Sequence, residues 1–283
     1  MSKTKCSHDD IHSMEIAAGQ HIAEKYAEAY ETLFYEATRK MVADDAASGE
    51  NPGPIKLLEL GCGTGNLTAF LAQKPNCAVT AVDISPDMIR QAQKKLKNVE
   101  FHASPIERLP FENGTFDVVT GYSVLHHLPD LRESFDEISR VLKPNGSFVF
   151  GEPVESVLDK HKNLYRALKA PFYPLYVFSK KKNSRDLAVF TDVNFDAFLT
   201  PVHGHLSEKG IVGSISNSAA SRMSIAIRKL GIISPWLGCV LFKSKGFDRM
   251  VFKPIWHFDM FLSRMLSNCT SEMIISGKVK KEA

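Results

Sequence analysis

Three glycines at alternate positions, Gly61, Gly63 and Gly65, break the run LLELGCGTGNLT just after an acid, Glu59. An apolar run that ends in a carboxylate and dissolves into glycines is how a buried parallel strand hands over to a nucleotide-binding turn. A backbone without Cβ atoms takes positive φ and lets a ligand lie against its amides. About twenty residues on, AVTAVDIS ends a second apolar run in Asp83, a carboxylate placed to accept both hydroxyls of a ribose. The spacing Glu59-x-Gly61-x-Gly63-x-Gly65 differs from G-x-G-x-x-G, and no basic residue sits among the glycines to meet a phosphate. A pyrophosphate cofactor is therefore disfavoured, and without a G-x-x-x-x-G-K-[ST] loop nucleoside triphosphate hydrolysis has no support. An adenosine carrying an amino acid suits the loop better. Further on, VLHHLPD brings two imidazoles together at His126 and His127, bases that work near neutral pH.

The elements that must position these residues alternate along the middle of the chain. IKLLELG, AVTAVDI, VEFHA, FDVVTGY and GSFVFGEP read as strands, with NLTAFLAQ and SPDMIRQAQKKL as helices between the first three. Ser85 is an N-cap and Pro86 suits the first helical position, so the backbone after Asp83 is fixed where an adenosine must lie. Ahead of them, apolar residues at three- and four-residue spacing predict one helix over about 13–45, closed by the turn NPGP. Behind them, LSEKGIVGSISNSAASRMSIAIRKLGI predicts a last large helix. WLGCVLFKS and EMIISGKVKK predict closing antiparallel strands, with an amphipathic helical lid, RMVFKPIWHFDMFLSRML, between them.

Over residues 55–153 the chain resembles the class I S-adenosylmethionine-dependent methyltransferases, and among them the ubiquinone/menaquinone-biosynthesis-like small-molecule group. ELGCGTGNLT, AVDISPDMI, VEFHASPIERLPF, TFDVVTGYSVLHHLPD and EISRVLKPNGSFVFGEP carry the resemblance, in the family's order and at its spacing. It implies a doubly wound, Rossmann-like α/β fold with a seven-stranded, mostly parallel sheet, S-adenosyl-L-methionine as cofactor and S-adenosyl-L-homocysteine as product. Glu59, Gly61, Gly63, Gly65 and Asp83 would hold the cofactor, Cys62 would pack beneath it, and Ile84 and Met88 would line the adenine pocket. Tyr122, at the end of the fourth strand, falls beside it. Tyr26 or Tyr30 of the leading helix would reach its carboxylate, or else pack on the sheet. The family's aspartate for the adenine amino group is missing: Pro105 stands there, so Ser104 or the amide of Ile106 must supply a contact. His127 or His126 would be the base near the transferred methyl group, or would only cap and pack the helix start. Gly121-Tyr122-Ser123-Val124 replaces the [DNS]-P-P-[YFW] motif of enzymes that methylate nucleic-acid amines, and no acid cluster follows to hold magnesium.

Composition bounds the rest. With 283 residues, 44% of them hydrophobic, the chain can hold one large α/β domain with an elaboration. The polar start MSKTKCSHDD lacks a signal-peptide core, and GIISPWLGCVLF is too short to span a bilayer, so a cytoplasmic location is expected. Five cysteines without pairing or ligand spacing imply reduced thiols and no metal. Residues 1–153 carry a net charge of −7 and residues 154–283 one of +10. The expected organisation is a helical cover (1–50), a cofactor-binding core (51–153), an inserted aromatic-rich helical cap (154–212) and a C-terminal completion of the sheet with a lid (213–283). In the cap, Tyr173, Tyr176 and Phe190 would form the acceptor pocket, and His203 and His205 could line its entrance. The function expected is methyl transfer to a small or medium, partly apolar molecule: a natural product, a quinone or a lipid-like acceptor. An enzyme acting on RNA or protein and a non-catalytic cofactor-binding scaffold are the rivals; no nucleic-acid partner is expected. Trp256, Phe258 and Phe261 beside Lys253 leave peripheral lipid contact open.

Overall fold

In a computed structural model, residues 7–29, 33–48, 53–153, 207–218, 223–230, 246–265 and 272–279 are described. Their apolar, β-branched runs form the strands β1 (Ile55–Leu60), β2 (Cys77–Asp83), β3 (Glu100–Ala103), β4 (Phe116–Tyr122), β5 (Leu142–Pro153), β6 (Met223–Leu230) and β7 (Glu272–Val279). They make one seven-stranded sheet in the order β3-β2-β1-β4-β5-β7-β6. β3, β2, β1, β4 and β5 run parallel, and β7 is antiparallel to both β5 and β6. In β1 only Lys56 is exposed, because a central parallel strand is covered on both faces.

The helices are α1 (His8–Ala29), α2 (Leu33–Ala46), α3 (Thr68–Leu71), α4 (Pro86–Lys95), α5 (Leu131–Val141), α6 (Glu208–Ser216) and α7 (Gly246–Met265). On one face of the sheet, Phe135 and Ile138 of α5 and Ile211 and Ile215 of α6 pack with Leu58, Leu60, Phe148, Phe150 and Ile275. On the other, Val42, Ala43 and Ala46 of α2, Leu71 of α3 and Met260 of α7 pack with Leu57, Val118, Val149 and Ile274. Neighbouring Leu57 and Leu58 thus serve opposite cores, as the two-residue period of a strand requires. Ser85 caps α4 by accepting from the Met88 amide, with Pro86 at its start, and Asp130 caps α5 by accepting from the Arg132 and Glu133 amides. The chain runs outward from β1 through β2 to β3, then restarts on the other side of β1 at β4. That reversal opens a crevice at the carboxyl ends of β1 and β4.

The doubly wound sheet is as expected, and four local expectations need correction. The single leading helix is two: α1 lies against α4, while α2 lies on the sheet against β4 and β5. NLTAFLAQ yields only the four helical residues of α3. The expected last large helix is α6 followed by the strand β6. Once Asn217 caps α6, Met223–Leu230 alternates in burial with period two and its isoleucines pair with β7. The closing antiparallel pair is therefore β6 and β7, while WLGCVLFKS lies outside the described residues. Finally, α6 crosses the expected cap boundary at residue 212 and is core, with Ile211 and Ile215 fully buried. No helix among the described residues is long and apolar enough to cross a membrane.

Candidate functional site

The loop after β1 turns where glycine is required. Gly61 has φ +63°, and a Cβ there would lie 2.2 Å from Cγ2 of Val124. The next turn of the loop is tied to β2: the Gly63 amide donates to Oδ2 of Asp83 and the Ser85 amide to Oδ1, each at 2.8 Å. A carboxylate offers about four lone-pair sites, so Asp83 braces the loop and keeps capacity for two hydroxyl donors. Beside it Glu59 is 1% exposed, and its Oε2 has no hydrogen-bond partner. Burial, against the pull of Thr68, pushes its carboxyl up to about 8; burial raises Asp83 as well. Burial also drives the Cys62 thiol well above the ordinary range, which makes it a packing residue and a poor nucleophile.

The turn after β4 is held by a residue the sequence reading passed over. Ser123 takes a left-handed φ of +54° and donates its amide to the Gly151 carbonyl at 2.8 Å. The next two amides, of Val124 and Leu125, both donate to Oε1 of Glu152, at 2.8 and 2.7 Å. Oε2 of the same carboxylate lies 2.8 Å from Nδ1 of His126. The His127 ring packs on that of His126, centroids 4.2 Å apart, and its Nδ1 meets Oε1 of Glu15 on α1 at 3.2 Å. The paired histidines therefore divide: one is braced from the sheet, the other by the covering helix.

Two more elements close the site. From α2, the buried Arg39 guanidinium stacks over the rings of Tyr35 and Tyr122, at 5.7 and 5.6 Å, and the Tyr122 hydroxyl pairs with Oγ1 of Thr38 at 2.8 Å. From α1, His12 lies 3.4 Å from Glu107. Gly19 allows the helix to approach so closely that a Cβ would fall 2.2 Å from Oγ of Ser85.

One cavity collects most of the expected residues: Glu59, Gly61, Cys62, Gly63, Asp83, Ile84 and Met88 from the first half, then Ser104, Pro105, Ile106, Tyr122, His126 and His127. Gly65 is not in its wall; a Cβ there would meet Leu96 and Ala92 at 3.0 and 3.2 Å, so this glycine lets the loop pack on α4. Ser104 lines the cavity, but its hydroxyl donates to the Arg108 carbonyl at 2.7 Å and closes the local turn. Two residues beyond Pro105, Glu107 lines the same wall with Oε1 buried and without a hydrogen-bond partner. Tyr26 is in α1 with its side chain outside the description; Tyr30, Tyr173, Tyr176, Phe190, His203 and His205 lie outside the described residues. Arg39, Glu15, Glu107 and Glu152 were not foreseen. In a single sequence Arg39, Glu15 and Glu107 look like solvated charges, but Glu152 ends an apolar strand just as Glu59 does, and that signal was readable.

Two neighbouring imidazoles, and a buried oxygen on each of Glu59 and Glu107 without a hydrogen-bond partner, suit a cationic, nucleoside-bearing ligand. Residues 58–150 match the family model described as a methyltransferase domain. A demethylmenaquinone methyltransferase of Chlorobaculum parvum is 38% identical over 110 residues, 39% of this chain and 46% of that protein, so the match spans less than half of the relative. One from Staphylococcus aureus is 29% identical over 205 residues, 69% of this chain and 82% of that one. Among solved structures, a Thermotoga maritima protein described as a SAM-dependent methyltransferase has a TM-score of 0.57 at 14% identity, covering 94% of this chain and all of that one. At that identity the likeness speaks for the fold alone.

Proposed function

We propose that this chain, whose core is a class I S-adenosylmethionine-dependent methyltransferase domain, transfers the sulfonium methyl group to a small or medium, partly apolar acceptor. The observation that carries the reading is the buried, unpartnered Oε2 of Glu59 in the wall of a cavity whose glycine loop is open at Gly63, where a Cβ would meet nothing within 4 Å. Desolvating a carboxyl oxygen without a partner is costly. An amino acid's ammonium group relieves that cost, and the cleared space beside the loop suits its main chain. The residues present therefore fit the cofactor. Asp83 would receive the ribose hydroxyls, Ile84 and Met88 the adenine face, and Glu107 the adenine amino group in place of the acid missing at Pro105.

The cofactor supplies an electrophilic methyl carbon, and the chain supplies position and a place for a proton. α1 covers the cavity with Glu15, which meets His127, and His12, which meets Glu107, and to the two histidines of the cavity wall we assign the removal of the acceptor's proton. The acceptor we infer is quinone-like or lipid-like. The curated relatives are named for demethylmenaquinone, and α7 presents Phe258, Phe261 and Met265 to solvent at 55, 58 and 68% exposure. Lys253, His257 and Arg264 are exposed beside them, and none of the exposed residues between 253 and 265 is an acid. Such a face suits an anionic membrane surface from which an apolar acceptor is drawn.

The test is transfer of labelled methyl from S-adenosylmethionine, given in parallel to chemically reduced demethylmenaquinone and to a cell extract resolved into small-molecule, lipid, RNA and protein fractions. Label in the quinone, small-molecule or lipid fraction is the expected result. Label confined to RNA or protein overturns the acceptor, and bound cofactor without any transfer favours a scaffold.

A further inference from the structure

We propose that Glu152 is a positioning residue for methyl transfer: it locks His126 in the tautomer that can remove the acceptor's proton. The proposal rests on the methyl-transfer reading above and names how its base is prepared. The Glu152 side chain has no solvent exposure and gathers three nitrogens: the Val124 and Leu125 amides donate to Oε1, and Nδ1 of His126 lies 2.8 Å from Oε2. A carboxylate that already accepts two amide hydrogens offers His126 an acceptor and no donor. The imidazole must therefore place its hydrogen on Nδ1, and Nε2 becomes its basic nitrogen. The ring lines the cavity next to the glycine loop.

The backbone carries the same sense. Ser123 is held at φ +54°, a conformation that a residue with a Cβ adopts reluctantly, and it is this reversal that turns two successive amides onto one carboxylate. A turn needed only for chain direction would not require a buried acid at its centre. The acid and the turn come from different strands, β5 and β4, which the sheet holds in fixed register, Tyr122 opposite Gly151. The geometry of the base is thus set by the register of β4 and β5, while His127 is tied to Glu15 of α1.

The step balances with no further reactant. An acceptor X–H loses its proton to Nε2 of His126. The electron pair left on X forms the bond to the methyl carbon, and the carbon–sulfur bond breaks with its pair returning to sulfur, which leaves a neutral thioether. The imidazolium formed is stabilised by the Glu152 carboxylate until its proton passes to solvent. The acceptor class follows: one with a removable proton, such as an acidic hydroxyl or an activated carbon–hydrogen bond, and not a tertiary amine or a thioether.

The experiment compares the full-length wild type with Glu152→Gln and His126→Gln. Glutamine keeps an oxygen for the two amides but turns an NH₂ toward Nδ1, which forces the hydrogen to Nε2 and removes the base with little change of shape. Nitrogen-15 spectra of the histidine rings in the wild type must show His126 with its hydrogen on Nδ1, and in Glu152→Gln on Nε2. With reduced demethylmenaquinone as the probe acceptor, kcat should fall about 10²-fold or more in both variants. Its limb of the pH profile should vanish, the Kd of S-adenosylhomocysteine should hold within about twofold, and the double variant should lose no more than either single. A wild-type His126 protonated on Nε2, or a Glu152→Gln enzyme with unchanged kcat and pH profile, overturns the proposal even if that variant is less stable. Failure of the wild type to bind S-adenosylhomocysteine or to transfer methyl at all would instead strike the functional reading beneath it.

Discussion

Burial holds Glu59 at about 8, so near pH 7 most of the cofactor-free chain carries this acid protonated. An acid raised above its unfolded value stabilises the fold below that value, about 4.3, and the contribution fades as pH climbs through the folded value. Binding runs the other way, because the ammonium group assigned to Glu59 favours the ionised form and its arrival expels a proton. The affinity for S-adenosylhomocysteine should therefore rise between pH 6 and 8, by at most roughly tenfold per unit, and level off above about 8. Glu59→Gln should bind weakly and without that slope. Calorimetry in two buffers of different ionisation enthalpy reads both the slope and the released proton, and a flat profile in the wild type would put the ammonium elsewhere. Asp83, Gly61 and Gly63 were legible in the sequence because their roles are local: turn geometry and an acid at a strand end. Glu107 and Arg39 were not, since nothing local separates a charge turned into a cavity from one turned to water.

The same contrast governs the elements. α4 announced itself through Ser85, Pro86 and a polar–apolar period, and it lies where it was expected. α1 and α2 share one continuous period, and only their partners, α4 for one and the sheet for the other, divide them. β6 was lost to helix-forming neighbours because alternating burial appears only once β7 is there to pair with it. α1 offers a direct test of the lid. Gly19→Ala gains about 1 kcal/mol of helix propensity but must displace Ser85, whose cap on α4 is worth about as much. The variant should melt near the wild type while its affinity for S-adenosylhomocysteine drops several-fold, since α1 can no longer close on the cavity; unchanged affinity would show that the contact is dispensable. On α7 the expectation concerns surface alone. Phe258→Ser with Phe261→Ser should leave the melting temperature nearly unmoved. It should weaken sedimentation with phosphatidylglycerol vesicles at least about tenfold, given about 1 kcal/mol or more for each half-exposed ring. Equal binding by both proteins would remove the lipid-facing role.

At the scale of the molecule, the sheet order explains why one cavity collects groups spread from His12 to Glu272. β1, β2, β3, β4 and β5 all deliver their carboxyl ends to its walls, and α1 and α2 arrive from sequence that precedes every strand. The repeated strand–helix alternation made this legible up to Pro153. Beyond it the pattern fails, because β7 closes the sheet antiparallel and its partner β6 has no motif of its own. A site assembled from so many strand ends cannot survive partial loss of the sheet, so cofactor binding and global unfolding must be fully linked. A ligand at a hundredfold excess over its Kd that binds only the folded state contributes about 2.7 kcal/mol. For a domain of this size that corresponds to a rise of roughly 5–10 °C in melting temperature. S-adenosylhomocysteine should therefore shift the whole calorimetric transition as one peak, and the shift should shrink to near zero in Asp83→Ala, whose carboxylate joins the glycine loop to β2. If the ligand were held by α1 and the loops alone, hydrogen exchange would slow there while the main transition stayed in place, and the cavity would belong to a locally unfolding cover instead of the core sheet.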